Sequence, residues 1–504
     1  MSHSSIRQQA VEAVERGDLA QATELFQAAI QNQPGEVELY LELAECQWAG
    51  YEFERAIATY EEAHRVRPES VITCTQAAKK LFGIARFSES ARWLERAQAF
   101  APNDGPLLAM LAEVYERGNQ LADAERCARA ALDIDSAQVK SVRIMAHVER
   151  RLGRLDDART RLHDHLMRFP GPDDWRLRYE LAEVFDRLGE YAAAMNQLLL
   201  AKTQLRDRAI PYLAEAQSIR HRQRELSGLL TRTDFEAWRA ASLPRERARP
   251  IAFLCGHPRS GTTLLEQILG AHEQVITTDE TGVLLREFIQ PILRDSPSAA
   301  ESATELRSFE ADQIESGRAA YWRYAEAHLG QSVGSRLLIE KDPALTPDLP
   351  LPLRLFPEAR VVFPLRDPRD VCLSYFFTLV PLAAPSAAAL DLRSTCEFCA
   401  HSLELWTHWK QVLPYPMLET RYERLVSDPE RETQRLLEFL ELPWTPAILA
   451  FHDRARSKGI RTPTYADVAQ PIHQRAVGRW KNYEAFLHPH LELLRPQLRA
   501  FGYD

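Results

Sequence analysis

The sequence has no apolar run close to the ~20 residues that a helix needs to cross a bilayer. Its opening stretch, Met1 to Arg16, also lacks the apolar segment of a secretory signal. We therefore expect a cytoplasmic protein with no membrane partner. Basic charge is in deficit as well, since 62 Lys and Arg stand against 71 Asp and Glu. The net charge of −9 disfavours a nucleic-acid-binding protein, although a local anion site can still be basic.

Cysteine is scarce, and its positions form no disulfide framework. The seven cysteines are an odd number, as expected in a reducing compartment where thiols fill small core positions. One C-x-x-C pair, Cys396 and Cys399, leaves two interpretations: a zinc or redox site, or a pair buried in a helix. Because no second pair accompanies it, we expect the buried pair and no metal site.

A chain of 504 residues exceeds what one hydrophobic core organises, so at least two domains are expected. Hydrophobic residues make up 45% and charged residues 26%, which is ordinary for globular domains and argues against a disordered chain. The sequence pattern predicts a helical array over residues 5–205, a linker helix over 206–248 and a second domain over 249–504.

The array repeats itself every 34 residues. Four series of residues keep this spacing: Pro34, Pro68 and Pro102; Leu19, Phe53, Phe87, Leu121 and Leu155; Ala10, Ala44, Ala78, Ala112 and Ala146; and Ala22, Ala56, Ser90, Ala124 and Ala158. A small residue at a fixed place lets two helices of a unit cross closely, and the larger residue fills the groove between units. We expect each proline to end the second helix of its unit. A generic helical bundle does not require a sequence repeat of 34 residues.

This pattern resembles tetratricopeptide repeats, in which each unit is a helix-turn-helix of 34 residues. Five units fit the array, and a sixth is shifted by two residues. The resemblance implies an α-solenoid with a concave surface. The sequence leaves three uses open for it: binding a protein or peptide partner, self-association into a homo-oligomer, and docking on the next domain.

From Pro250 onward, short apolar runs alternate with helical stretches, which predicts a parallel sheet flanked by helices. The run Ile251–Cys255 leads into a turn bounded by Gly256 and Gly261, the glycine spacing of a nucleotide P-loop. A turn between a strand and a helix aims backbone N–H groups and the helix dipole at one anion. The alternative is a plain structural turn.

The side chains of this loop favour an anion other than ATP. Thr262 stands where a P-loop kinase or NTPase has its lysine, which disfavours that class of enzyme. Arg259 supplies a cation within the loop, and Ser260, Thr262 and Thr263 supply hydroxyl donors. The sequence therefore predicts a loop that can hold a nucleotide phosphate without the usual lysine.

A second apolar strand, Arg360–Leu365, ends at another candidate anion site. Asp367 is suited to cap the helix that follows, and Pro368 is suited to its first turn. Arg366 and Ser374 are eight residues apart, about two helical turns, so one helix edge could direct both toward one anion. Surface ion pairs are the alternative interpretation.

Together, the two motifs resemble those of sulfotransferases. Pro258–Leu264, with the sequence PRSGTTL, resembles the loop that holds the 5′-phosphosulfate of 3′-phosphoadenosine 5′-phosphosulfate (PAPS), and Arg366–Tyr375 resembles the 3′-phosphate site. The match spans roughly residues 250 to 504. It implies a P-loop-like α/β domain with a parallel sheet, and an enzyme that uses PAPS as co-substrate without a metal. The loop arginine is similar to that of protein-tyrosine sulfotransferases, and the whole architecture resembles bacterial repeat-containing sulfotransferases.

The resemblance also implies individual roles. Glu280 matches a general base, and Lys341 and Arg259 match residues that stabilise the leaving phosphate. Tyr422 matches a tyrosine near the adenine, while Thr464 and Arg479 replace a serine and a lysine of the family. The residues implied to hold the nucleotide are Pro258, Arg259, Ser260, Gly261, Thr262, Thr263, Leu264, Arg366, Ser374, Tyr422, Thr464 and Arg479.

The acceptor stays open at this point. A tyrosine of a peptide or protein is one candidate, and a saccharide or a small phenol is another. The alternative from a different class of function is a catalytically silent repeat scaffold with a degenerate nucleotide-binding domain. That interpretation predicts loss of the key polar residues, but Arg259, Glu280, Lys341, Arg366 and Ser374 are all present. We therefore expect an active enzyme.

Overall fold

The structure is a computed structural model that describes residues 3–241, 248–379, 382–457, 460–462 and 465–504, with side chains from Ile6 onward and without those of 455–457. Contacts divide the chain into two compact units. The first comprises Met1–Val148 and Arg323–Ser332, and the second comprises Glu149–Trp322 and Val333–Asp504.

The amino-terminal part is an array of paired antiparallel helices. These helices are α1 (His3–Glu15), α2 (Leu19–Asn32), α3 (Val37–Ala49), α4 (Phe53–Val66), α5 (Val71–Gly83), α6 (Phe87–Phe100), α7 (Gly105–Arg117), α8 (Leu121–Ile134), α9 (Val139–Arg151), α10 (Leu155–Arg168), α11 (Asp174–Leu188) and α12 (Tyr191–Leu229). The predicted α-solenoid is confirmed, and the 34-residue series explain its geometry. The second helices of the first five units begin at the residues of the leucine and phenylalanine series.

The small residues mark the places where two helices of a unit cross. Ala44, Ala78 and Ala112 on first helices, and Ala56 and Ala124 on second helices, are 0–1% exposed. In the third unit, the Ser90 hydroxyl donates a hydrogen bond of 2.8 Å to the backbone oxygen of Ala78. A side-chain hydroxyl can reach the opposite backbone only because both positions are small.

The predicted linker does not begin with a break in the structure. Helix α12 runs unbroken for 39 residues through the predicted boundary at 205/206 and includes Pro211. It is continuous because its buried face continues past the boundary, from Ala194 and Leu198 to Ala216 and Leu226. Helix α13 (Arg232–Ala240) follows, and residues 242–247 of the predicted linker lie outside the described residues. The three domain ranges stay a prediction.

The second unit contains a parallel sheet of five strands: β1 (Ile251–Leu254), β2 (Val275–Thr277), β3 (Leu337–Lys341), β4 (Arg360–Leu365) and β5 (Met417–Arg421). Their order is β2-β3-β1-β4-β5, so β1 pairs with β3 on one side and β4 on the other. Because all strands are parallel, their carboxyl ends meet at one edge, where ligands bind in open α/β sheets.

Helices and short turns cover the sheet. The helices are α14 (Thr262–Gly270), α15 (Ala299–Ser308), α16 (Ala311–Leu329), α17 (Pro350–Leu355), α18 (Pro368–Phe377), α19 (Ala384–Ala387), α20 (Leu392–Val412), α21 (Tyr422–Ser427), α22 (Pro429–Phe439), α23 (Phe451–Ser457), α24 (Tyr465–Val468), α25 (Glu484–Leu487) and α26 (Arg495–Phe501). A π-helical segment spans Leu285–Arg294, and 3₁₀ segments span Pro343–Asp348, Ala388–Leu390, Pro446–Ala450, Arg479–Tyr483 and His488–Leu494.

The core lies on both faces of β1. Leu254 packs with Leu265 and Ile268 of α14. The alternating residue, Phe253, points to the other face, where its ring meets Phe356 edge-on at 6.2 Å. This packing fixes the start of α14 against the end of β1, and so it fixes the loop between them.

Two further expectations concern α20 and the membrane. Cys396 and Cys399 lie on α20, are 0–1% exposed and carry free thiols, as predicted for a buried pair. Among the helices of the described ranges, none is both long and apolar enough to cross a bilayer.

The helix crossings predict the effect of a larger residue. Leucine at Ala112, which is 0% exposed, must overpack the crossing and should lower the free energy of unfolding by about 1–3 kcal/mol. Urea denaturation followed by circular dichroism measures this change. Ala122→Leu, at an exposed position of α8, is the control and should have little effect. Equal losses in the two variants would contradict close packing at the alanine series.

Candidate active site

A cavity of about 510 Å³ lies at the carboxyl edge of the sheet, within the ~300–1,000 Å³ typical of small-molecule sites. Every strand contributes to its surroundings. Of the sequence-predicted residues, those lining it are Pro258, Arg259, Gly261, Thr262, Thr263, Leu264, Glu280, Arg366, Ser374, Tyr422 and Arg479. The structure thus brings into one cavity most of the residues that the two motifs single out, from segments more than a hundred residues apart.

The loop between β1 and α14 has the left-handed backbone that an anion cradle needs. Positive φ angles occur at Gly256 (140°), Arg259 (77°) and Gly261 (98°). A Cβ on Gly261 would lie 2.7 Å from Cδ2 of Tyr422, so only glycine lets that ring approach. Helix α14 starts at Thr262, and the first N–H groups of a helix have no partner within it. The cavity lies at this end of α14, and Thr262 and Thr263 line it.

The second motif joins the first through two hydrogen bonds. The Nε of Arg259 donates to the Ser374 hydroxyl at 3.0 Å, and Nη1 of Arg366 donates to the Arg259 backbone oxygen at 3.1 Å. The Arg366 guanidinium lies 4.8 Å from the ring centre of Tyr422. Helix α18 begins as predicted, with Asp367 capping the N–H of Arg369 at 2.9 Å. The two bends are therefore parts of one cavity wall.

The electrostatics of this wall favour an anion. Burial lowers the pKa of Arg259, and neighbouring Arg366 lowers it further, while Asp467 opposes the shift. A lowered arginine pKa means that the protein itself compensates the positive charge incompletely. Among the described residues, no partner meets the buried Nε of Arg366 or the buried hydroxyl of Ser260. Ser260 lies in the loop at 2% exposure but does not line the cavity.

Glu280 is held by a buried lysine. Nζ of Lys341 lies 2.6 Å from Glu280 Oε1, 3.4 Å from Glu266 Oε2 and 3.7 Å from Asp279 Oδ1. Burial alone would lower the pKa of Lys341, but the three carboxylates raise it above its usual value. The lysine side chain is 0% exposed, so this cluster is a buried ion-pair network.

The backbone holds the Glu280 carboxylate in place. Asp279 and Glu280 have φ angles of 52° and 54°, unusual for residues other than glycine. The Glu280 N–H donates to the Lys341 backbone oxygen at 3.1 Å, and Arg461 N–H donates to Asp279 Oδ2 at 2.8 Å. Strained residues of this kind persist where the surroundings over-determine them, often at functional sites. Glu280 lines the cavity, whereas Lys341 does not.

The remaining predicted residues have different surroundings. Arg479 lines the cavity, but its guanidinium pairs with Asp186 of α11 at 3.0 Å. Thr464 lies outside the described residues. For both residues, contact with a nucleotide stays a prediction.

Two acidic residues that organise the site were missed by the sequence reasoning. Asp370 is 1% exposed and accepts hydrogen bonds from the N–H groups of Gly478 (2.7 Å) and Trp480 (2.8 Å). Asp370 follows Arg366 by four residues, about one helical turn, and this spacing could have identified it as a site residue. Asp186 gave no signal, because it lies 293 residues before its partner Arg479.

Comparison with known proteins gives matches for both parts of the chain. Residues 250–446 match the family model described as the sulfotransferase family. Residues 13–72 and residues 145–216 each match a model described as tetratricopeptide repeat.

A protein of Aquifex aeolicus (strain VF5) is 30% identical over 254 residues, 49% of this chain and 32% of that protein. The chain thus spans about a third of the length of this relative. Protein-tyrosine sulfotransferase 1 of Danio rerio is 25% identical over 268 residues, 51% of this chain and 72% of the relative. A solved tetratricopeptide repeat protein from Parabacteroides merdae is 16% identical, with a TM-score of 0.35, over 48% of this chain and 94% of its own.

The buried lysine predicts a pH-dependent loss of stability. Lys341→Met removes the buried cation that lies 3.4 Å from Glu266, which is 0% exposed, and 3.7 Å from Asp279; this should cost about 3–5 kcal/mol in the free energy of unfolding at pH 8. Because Lys341 has a raised pKa, it stays charged in the wild type at both pH 5 and pH 8, which lie below the unfolded lysine pKa. In the variant, protonation of the stranded carboxylates relieves the cost, so the deficit should shrink at pH 5.

Urea denaturation of both proteins at pH 5 and pH 8 measures this difference. Lys79→Met, at an exposed position of α5, is the control and should change stability little at either pH. A deficit of the same size at both pH values would argue against carboxylates stranded by the loss of Lys341.

Proposed function

Since residues 250–446 form a sulfotransferase-family domain, behind tetratricopeptide repeats, we propose that this chain transfers the sulfuryl group of PAPS to an acceptor hydroxyl. The observation that carries the proposal is the junction of the two motifs. Arg259 contacts Ser374, and Arg366 contacts the backbone of Arg259, so both sets of anion donors face one cavity. A nucleotide with phosphate groups at its 5′ and 3′ positions is suited to such a paired site.

The residues of the cavity fit this donor. The amino end of α14 and the Arg259 side chain suit the 5′-phosphosulfate. Arg366, whose Nε is buried without a described partner, and Ser374 suit the 3′-phosphate. Tyr422 packs against Gly261 and Arg366 and offers a ring edge beside the adenine. Bound PAPS would supply a sulfuryl group whose leaving group is a phosphate.

The chemistry then needs a base and a fixed cation. Glu280 would accept the proton of the acceptor hydroxyl while that oxygen forms its bond to sulfur. Arg259 and the loop N–H groups would meet the electron pair that remains on the leaving phosphate oxygen. Because a carboxylate is a weak base for an alcohol or phenol, we propose that proton and sulfuryl transfer are concerted.

Lys341 acts on this step through Glu280. Its Nζ is 2.6 Å from Glu280 and is not on the cavity wall, so its first effect is to hold and orient that carboxylate. The predicted contact with the leaving phosphate requires Lys341 to leave this ion pair. Arg259, which does line the cavity, is therefore the better candidate for stabilising the leaving group.

We propose a phenolic acceptor, with a tyrosine of a peptide or protein as the first candidate. Relatives bear the name protein-tyrosine sulfotransferase. The lining of the cavity also includes Pro343, Ala344, Tyr375 and Pro385. Their apolar surfaces suit packing against an aromatic ring. The repeats would serve a protein or peptide partner.

Replacing the base tests the catalytic proposal. Glu280→Gln should lower turnover by about 10²–10⁴-fold, while 3′-phosphoadenosine 5′-phosphate (PAP) still binds, since the amide cannot accept the proton. Transfer of isotopic label from PAPS to a tyrosine peptide, and calorimetry with PAP, measure the two properties. Glu273→Gln, at an exposed position after α14, is the matched control. Turnover at the wild-type rate would remove Glu280 from the chemical step.

Replacing the second arginine tests the nucleotide site. Arg366→Ala should weaken PAP binding by about 10- to 100-fold, because the lost hydrogen bonds are made to a charged group. Arg366→Lys keeps the charge but loses the planar fork, so its affinity should lie between those of the alanine variant and the wild type. Arg393→Ala, an exposed arginine of α20, is the control.

The same calorimetry separates the competing functions. Wild-type protein that binds ATP in preference to PAP would favour a P-loop kinase. Binding of PAP without sulfation of any component of a lysate supplied with labelled PAPS would favour the silent scaffold. An unchanged dissociation constant for PAP in Arg366→Ala would take Arg366 out of the 3′-phosphate site.

A further inference from the structure

A residue of the last repeat holds a residue of the cavity wall. Asp186 lies in the last turn of α11, the first helix of the sixth unit. Its Oδ1 accepts a hydrogen bond from Arg479 Nε at 3.2 Å, and its Oδ2 lies 3.0 Å from Arg479 Nη2. The hydrogen bond at Nε and the ion pair at Nη2 together restrict the direction of the guanidinium as well as its position.

Both partners are themselves fixed. The Tyr483 hydroxyl donates to Asp186 Oδ1 at 2.6 Å, and Tyr483 is 0% exposed. The Arg479 guanidinium lies 4.4 Å from the ring centre of Phe377, the last residue of α18. Stacking on a ring restricts the plane of a guanidinium but leaves its rotation within that plane free. The carboxylate of Asp186 determines that rotation.

The pair leaves donors for a ligand. A guanidinium carries five N–H groups, and Asp186 faces those of Nε and Nη2. The Nη1 group lies outside the pair, and Arg479 lines the cavity. Burial alone would lower the pKa of Arg479, but Asp186 and Glu183 raise it. The side chain therefore stays a cation with one edge held by Asp186, and no hydrogen bond joins Nη1 to another of the described residues.

The same repeats hold the rest of the segment that carries Arg479. We call residues 465–480 the closing segment; several of its residues line the cavity, among them Asp467. Nη2 of Arg187, next to Asp186 on α11, lies 3.7 Å from Asp467 Oδ1. The guanidinium of Arg151, at the end of α9, lies 5.5 Å from the ring centre of Tyr465. Asp370 binds the backbone at the other end of the segment.

We propose that Asp186 is a positioning residue of the nucleotide site: it orients Arg479 toward a phosphate of the donor, so that the last repeat is part of that site. This inference rests on the proposed function. It gives the repeats a role inside the second unit that does not depend on a partner. It also assigns the closing segment two supports, Asp370 from the sulfotransferase-family domain and Asp186 from the array.

A purely electrostatic role for Asp186 predicts the opposite sign. A carboxylate near the cavity repels a polyanion, so removing its charge alone would tighten nucleotide binding. A positioning role predicts weaker binding, because a freed guanidinium must be ordered again at the expense of affinity. The two roles are therefore distinguished by the direction of the change.

The test uses the full chain and PAP. Asp186→Asn is isosteric and keeps one oxygen for Tyr483 and Arg479 Nε, but it places an amide NH2 donor opposite Arg479 Nη2, where the wild type has a charged carboxylate oxygen. We expect PAP binding to weaken by about 10-fold in calorimetry, the size typical of one hydrogen bond to a charged group. With PAPS as substrate, KM should rise while kcat changes little, because Arg479 would hold the phosphate in ground and transition states alike.

One mutant background and two further variants make the result specific. In an Arg479→Ala background, Asp186→Asn should have no further effect on PAP affinity, since the residue it positions is gone. Glu183→Gln removes a carboxylate one turn earlier on α11, which pairs with Arg150 at 4.0 Å, and is the matched charge control. Its PAP affinity should stay within about 2-fold of the wild type or tighten slightly. Tyr483→Phe loosens Asp186 and should weaken binding by a smaller factor than Asp186→Asn.

Each outcome either supports or overturns the positioning role of Asp186. Weaker PAP binding in Asp186→Asn that disappears in the Arg479→Ala background supports the proposal. Unchanged or tighter binding overturns it, as does an equal loss in both backgrounds. If Asp186→Asn does not fold, unchanged affinity in Tyr483→Phe overturns it instead. Failure of the wild type to bind PAP at all would refute the proposed function together with this inference, whereas normal wild-type binding confines a negative result to Asp186.

Discussion

The hydrogen bond between Arg259 and Ser374 is the contact on which the proposed chemistry depends. It joins the loop after β1 to the helix after β4, and these strands are neighbours only because β1 lies inside the sheet between β3 and β4. The adjacent hydrogen bond from Arg366 to the Arg259 backbone oxygen is a second link between the two motifs. If the strand order were different, the same two motifs would be separate turns, each too weak an anion site to define an enzyme.

The cluster around Lys341 combines stability and chemistry in one place. Three carboxylates surround a lysine that is 0% exposed, and one of them, Glu280, reaches the cavity. Burying these charges costs free energy that only good pairing repays. A consequence is that a substitution of Lys341 changes folding and turnover together. Kinetic effects at this position therefore need stability measurements beside them, whereas Glu280 can be tested more cleanly.

The last repeats and the domain with the parallel sheet share one compact unit. Helix α12 continues without a break past the end of the sixth repeat, and its buried face extends to Leu226. Helix α11 adds Asp186 and Arg187, which contact the segment that carries Arg479. The last repeat therefore belongs to the second compact unit, although the sequence pattern groups it with the other repeats.

Local patterns in the sequence determine much of this protein. The 34-residue series locate the helix crossings and the second helices, because packing of small residues repeats with the unit. The P-loop-like turn and the bend after β4 follow from glycine, proline and capping residues within ten positions of each other. Tertiary structure alone decided that Lys341 faces Glu280, that Asp370 holds the backbone of residues 478–480, and that Asp186 meets Arg479. Such contacts join residues distant in sequence, and no local propensity records which distant side chain will supply a charge.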